Sequence, residues 1–90
     1  MKLEFNANKR AETLKHRGLD FADAVVVFAG PTLTVEDTRQ DYGETRHITI
    51  GYLETRMVVL VWSQRGDAKR IISMRKANDR EQQLYGPKLG

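Results

Sequence analysis

The chain has no cysteine, which excludes a disulfide framework, a zinc ribbon and a thiol nucleophile. Its two histidines, His16 and His47, stand far apart, and neither has a paired-carboxylate motif beside it. No metal-ligand set is recognisable, and no cofactor is expected. No apolar run approaches the roughly eighteen residues of a membrane span, and the first residues lack the apolar stretch of a secretion signal. The expectation is a soluble, cytoplasmic protein with no membrane contact. A Walker loop, a GxGxxG turn and a convincing Ser–His–Asp order are absent. So are RNP aromatics, a GXXG loop and a helix-turn-helix. With no repeats, low-complexity tracts or linkers, the 90 residues make one domain, 1–90, around a single core.

What the chain does have is charge, unevenly spread. The net charge is +3. Residues 1–19 carry five Lys/Arg against two acids, residues 20–44 one Arg against six acids, and residues 56–80 seven Lys/Arg against two Asp. Basic segments around a strand-rich centre fit a positive patch facing a polyanion, and a charged surface that keeps the protein in solution is the plainer alternative.

Met1–Phe5 alternates weakly, with Leu3 and Phe5 apolar, as a short edge strand would. Asn6 can cap a helix in which Ala7, Ala11 and Leu14 share one face, with Gly18 ending it. Asp20 caps a second helix with a Phe21, Ala24, Val25, Phe28 stripe, stopped by Gly30-Pro31. Both helices are short and need the sheet to pack against. Thr32–Val35 is a strand, Glu36–Thr45 a polar acidic loop, and Arg46–Leu53 a strand with Ile48, Ile50 and Tyr52 on one side. Glu54-Thr55 turns directly into the next strand. After it, Asn78 caps a last helix with Glu81 at the capping-box position, and Gly86-Pro87 marks its end.

The centre of the pattern is the apolar run Met57–Trp62, which reads as a strand covered on both faces. Arg65-Gly66-Asp67 turns it into a second strand. A three-residue loop sets Val58 against Met74 and Leu60 against Ile72. Strict alternation then groups Arg70 with Ile72 and Met74, and Lys69, Ile71, Ser73 and Arg75 on the opposite face. One face is dry and the other carries cations. The predicted fold class is α+β: a four-stranded antiparallel meander with two N-terminal helices and one C-terminal helix packed on one face.

Several of these pieces occur together in a known family. Lys15-His16 precedes the Phe21-x-x-Ala24-x-x-x-Phe28 helix; Arg46 precedes Ile50-Gly51; and Arg65-Gly66 precedes Arg70-Ile71-Ile72-Ser73-Met74-Arg75-Lys76-Ala77, with Glu81 and Tyr85 beyond. This ordered set, over nearly the whole chain, resembles the BrnT toxins of type II toxin–antitoxin systems. The resemblance implies a RelE-like fold and a translation-blocking endoribonuclease. It also implies a cognate BrnA-type antitoxin with a ribbon-helix-helix DNA-binding domain, through which the toxin could dimerise and the pair repress its own promoter. Three positions depart from the family pattern. His47 stands where an aromatic is usual, Thr13 where Asn is common, and Phe5-Asn6 where Trp-Asp is frequent.

Metal-independent RNA cleavage needs a base, an acid and cations for the charged transition state. His16, beside Lys15 at a helix end, is a candidate base or acid, or a C-terminal cap where positive charge is favoured anyway. Arg65 at the hairpin tip and Arg46 at a strand head could reach phosphate or be plain solvated charges. Glu54 is a candidate base or a turn carboxylate, and His47 reads as an exposed strand residue. Arg70 lies near the expected position of Trp62, so a cation–π contact competes with RNA binding. Trp62 itself is either core or a stacking platform. Arg75 and Lys76 are candidate phosphate-backbone contacts. RNA is the expected substrate. Two other readings remain: a non-enzymatic nucleic-acid-binding module using the same basic strand, and a protein-interaction domain.

Overall fold

The apolar run does form the central strand. In the computed structural model, which describes residues 1–90, the elements in order are β1 (Lys2–Phe5), α1 (Ala7–Arg17), a 3-10 turn (Phe21–Asp23), α2 (Ala24–Ala29), β2 (Leu33–Glu36), β3 (His47–Leu53), β4 (Arg56–Arg65), β5 (Ala68–Lys76) and α3 (Asp79–Leu89). The sheet order is β1-β5-β4-β3-β2, so β4 lies in the middle with Met57–Leu60 all buried. The expected meander is present as β2 to β5, but the sheet has five strands and is mixed: β1 adds to the edge parallel to β5, Leu3 beside Lys69 and Phe5 beside Ile71. A parallel neighbour requires a long return path, and here almost the whole chain supplies it.

The β4–β5 hairpin differs from the expected register. Arg65 pairs with Ala68, so the loop is two residues, with Gly66 at φ 59°. Val58 pairs with Lys76 and Leu60 with Met74, and the register shifts between Val61 and Trp62, where Ile72 is the extra residue. This bulge changes the phase of β5. Ile71 and Met74 both enter one core, while Arg70, Ser73 and Arg75 all fall on the opposite face.

The helices divide between the two faces, not onto one as alternation and length suggested. Phe21, Ala24 and Val27 from the 3-10 turn and α2 pack on Val58, Leu60, Trp62, Ile71 and Met74. Leu89 of α3 packs with Ile50, Met57, Val59 and Ala77 on the other side. The second N-terminal helix begins as a 3-10 turn capped by Asp20, and Val27 takes the buried place expected of Val25, which is 44% exposed. Helix α1 is capped as expected, Asn6 accepting from the Asn8 and Lys9 N–H groups, yet it buries no residue, and Leu14 is exposed. Arginines tether it instead. Arg10 makes a two-bonded pair with Asp20, and Arg17 donates to the Met74 carbonyl beyond the end of β1. Helix α3 has the expected capping box but runs through Gly86-Pro87 to Leu89. Pro87 forgoes one backbone hydrogen bond in that last turn, and Leu89 gains burial there.

Gly51 on β3 is where α2 comes closest to the sheet. A Cβ there would lie 2.8 Å from Val27 Cγ1 and 3.1 Å from Thr32 Cγ2, whereas at Gly30 nothing comes nearer than 3.9 Å. We expect Gly51→Ala to destabilise the fold by about 1–3 kcal/mol through overpacking and Gly30→Ala to change little, as measured by urea denaturation.

Candidate nucleic-acid interface

The open part of the α3-side sheet face is read most simply as rows across the strands. Leu33, Ile50, Val59 and Arg75 form one row, and Val35, Ile48, Val61 and Ser73 the next. Since His47 pairs with Trp62, the following rung sets Arg46 opposite Ser63, which pairs with Arg70, itself beside Glu4 of β1. Arg65 points to the same side one step further. Together these residues make a floor of β-branched side chains ending in a bank of guanidiniums. A groove of about 320 Å³ runs over the floor, lined by Val35, Ile48, Val61, Arg39, Arg75 and Tyr85.

None of these cations is bare. Arg75 is held two-handed by Glu81 at 2.7 and 2.8 Å, Arg70 reaches Glu4 at 3.3 Å, and Arg65 reaches Glu44 at 2.9 Å. Arg46 lies 3.5 Å from Glu44 and stacks on the Tyr42 ring at 4.0 Å. Arg39 pairs with the buried Asp37, which also accepts from the Tyr42 hydroxyl; Arg39 holds the Asp37 carboxyl far below the usual carboxylate range. The Arg75 guanidinium likewise lowers Glu81 to about 2, while Glu81 raises Arg75. Most of these pairs are partly exposed, and such pairs contribute about 0–1 kcal/mol each. They order the side chains without locking them.

Of the sequence-predicted residues, the structure brings Arg46, Arg65, Arg70 and Arg75 to one face. It does not bring the others there. Trp62 is 7% exposed on the α2 side, where its indole donates to Thr49 Oγ1 at 2.8 Å and meets Phe28 edge-on, so it is core and not a stacking platform. The cation above it is Lys69 at 4.4 Å, not Arg70, because the bulge turned Arg70 over. Lys76 lies exposed beside Val58 on the α2 side of β5. Glu54 occupies the β3–β4 turn with φ 57°, lining a cavity with Asp23 and Arg56 away from Arg46, Arg65, Arg70 and Arg75. Lys15 and His16 are exposed on α1; His16 lines a cavity at the β5 edge together with Ile72 and Ser73. Ser73 also lines the groove, so His16 approaches it from the edge. His47 faces away from Ile48, as expected, but it is half-buried and not the exposed strand residue expected, its ring 4.5 Å from that of Trp62.

Sequence reasoning missed the acids that hold the cations, and it missed Ser63. Only Asp37 and Glu44, two residues before Arg39 and Arg46 respectively, lay close enough in sequence to suggest a partner. Two buried side-chain atoms find no hydrogen-bond partner, Ser63 Oγ and Arg46 Nε, and both belong to this face.

A family model described as the ribonuclease toxin BrnT of type II toxin–antitoxin systems matches residues 5–81. No curated protein matches the chain.

The Arg75–Glu81 pair predicts a pH dependence. Because the folded Glu81 value lies below its ordinary 4.5, the pair's stabilisation is complete above that pH and is lost as pH falls towards about 2. Glu81→Gln keeps a capping-box acceptor but removes the charge. It should cost about 1 kcal/mol at neutral pH, with the gap to wild type closing in acid, as followed by melting temperature against pH.

Proposed function

The chain belongs to the BrnT family of ribonuclease toxins of type II toxin–antitoxin systems, and from that premise we propose that it is an endoribonuclease whose active face is the arginine-lined groove. The observation that carries this reading is the gathering of Arg46, Arg65, Arg70 and Arg75 on the uncovered part of one sheet face. RNA lies along the groove with its phosphates exchanging for the carboxylates that hold these side chains. Attack of a ribose 2′-oxygen on the adjacent phosphorus releases the 5′-oxygen of the next nucleotide and leaves a 2′,3′-cyclic phosphate. The guanidiniums stabilise the negative charge that builds on the phosphoryl oxygens, so the reaction needs no metal. His16, at the groove edge beside Ser73, is the side chain placed to take and return the proton. Glu54, Trp62 and Lys76 have no direct part in it.

Membership of a type II system implies a protein antitoxin. In the proposed reading that antitoxin carries a ribbon-helix-helix domain, covers the arginine face and brings two toxin copies together, and cleavage by the free toxin in the cytoplasm stops translation. The absence of a histidine or an unpaired carboxylate among the arginine rows favours one alternative, a module that binds nucleic acid on this face without cutting it.

Expression without an antitoxin should arrest growth. Purified protein should cut single-stranded RNA equally well with and without EDTA. Arg65→Ala should relieve the arrest and slow cleavage about a hundredfold or more, and His16→Ala should slow cleavage with RNA affinity retained. RNA bound with salt-steep affinity but left intact would assign the binding module instead.

A further inference from the structure

The cations of the open face are not equivalent. Glu44 serves two of them: Oε1 accepts from the Arg65 guanidinium at 2.9 Å, while Oε2 stands 3.5 Å from Arg46 Nε. The second contact is too long to count as a hydrogen bond, and Arg46 Nε is left buried without a partner. Ser63 is 2% exposed, and its Oγ is the other unpartnered buried atom. Arg46 immediately precedes β3, and the β3–β4 register carried one step beyond His47–Trp62 sets it opposite Ser63, with Arg70 next in the row.

Leaving a buried donor unpaired costs about 1–3 kcal/mol, and folded proteins seldom keep such groups without a use. Two in one row between guanidiniums describe an anion site that its present occupant fills badly. The Glu44 carboxylate reaches Arg65 well, Arg46 poorly and Ser63 not at all. A phosphodiester group offers more acceptor oxygens around a tetrahedral centre and can take charge-assisted bonds from all three.

We infer that Arg46, Ser63 and Arg65 form a site for one phosphodiester group of RNA, and that Glu44 is its placeholder in the free protein. The inference rests on the reading of this face as RNA-binding. Glu44 is suited to leave. Its side chain is 28% exposed and that of Arg65 46%, a pair worth about 1 kcal/mol or less. It sits on the loop between β2 and β3, next to Gly43 at φ 73°, and the root of that loop is fixed independently by Asp37, Arg39 and Tyr42. The carboxylate can therefore swing out while the sheet and the Tyr42–Arg46 stack stay in place. Ser63 supplies the neutral donor that remains.

The test measures binding of a 2′-O-methyl single-stranded RNA oligomer, which cannot be cut at the ribose, by fluorescence anisotropy. Glu44→Gln should bind about two- to fivefold more tightly than wild type, since a competing ion pair is gone. Ser63→Ala should bind about tenfold more weakly, the loss of one hydrogen bond to a charged group. Its melting temperature should hold or rise, because an unsatisfied buried hydroxyl has been removed; a packing role for Ser63 would lower it. Unchanged affinity in Ser63→Ala, unchanged or weaker affinity in Glu44→Gln, or binding only of acidic peptides overturns the inference. Cleavage of unmodified RNA by the wild type is run in parallel. If wild type leaves it intact while the two variants shift affinity in opposite directions, the ribonuclease reading falls and the anion site stands. If wild type cuts it and both variants bind like wild type, the site falls alone.

Discussion

At the Val61/Trp62 step two residues of β5 face one of β4, and the extra residue, Ile72, resets which side chains of β5 point where. Under strict alternation Arg70 would lie with Met74 beneath α2, in a core that includes Leu60 and Phe21 at essentially zero exposure, and Ile71 would face solvent. A guanidinium buried there without a partner would cost several kcal/mol. The bulge lets Ile71 and Met74 both enter that core while Arg70, Ser73 and Arg75 share the open face. One inserted residue therefore supplies both the last large side chains of the core and three members of the candidate site. β1 pairs with β5 only as far as Ile71, and beyond it the Met74 carbonyl accepts from Arg17, which tethers the first helix.

The open face then has to carry several guanidiniums at close quarters, and it does so by importing acids from three different elements. Glu4 comes from β1, Glu44 from the β2–β3 loop and Glu81 from α3. None is a near neighbour in sequence of the arginine it engages most closely. The ion pairs therefore report tertiary structure: they form only when β1 has added in parallel, the loop has folded back and α3 has docked. Individually weak, they order each arginine on the open face, which lowers the entropy an anionic ligand would have to remove on binding.

The sequence made the strands legible, and it hid the phase of one of them. Met57–Trp62, the Asn78–Glu81 capping box and the Asn6 and Asp20 caps all carry local signals, and all form as those signals require. The fifth strand was weakly marked, because a four-residue parallel edge strand needs a partner from the far end of the chain. A bulge has no composition of its own, so alternation put Arg70 on the wrong face and the expected cation over Trp62 became Lys69. Of the candidate site, the cations could be guessed from type and clustering, since three of them, Arg65, Arg70 and Arg75, are among the seven Lys/Arg between 56 and 80. Glu4, Glu81 and Ser63 could not, because what makes them part of the site is distance in space. The segment map of charge did not reveal this either: the acidic stretch 20–44 supplies, through Glu44, a counter-ion to the basic stretch.

A groove whose cations are already neutralised behaves differently from a bare basic patch. Bare guanidiniums attract any polyanion by releasing its counterions, with little regard to shape. Under the proposed reading each phosphate has to replace a carboxylate, and the gain per exchange is the small difference between two partly exposed ion pairs. A ligand that meets one arginine gains little. One that meets Arg75 at one end and the Arg46–Ser63–Arg70 row at the other, with its bases over the β-branched floor between, gains several times at once, because the strand spacing of four residues along β4 sets those ends about 13 Å apart. Under the proposed reading, this spacing favours a flexible single strand that can lie along the groove over a stiff duplex. The same reading gives an antitoxin a direct route to neutralisation: acidic side chains at the same spacing would fill the places that Glu44 and Glu81 hold in the free chain.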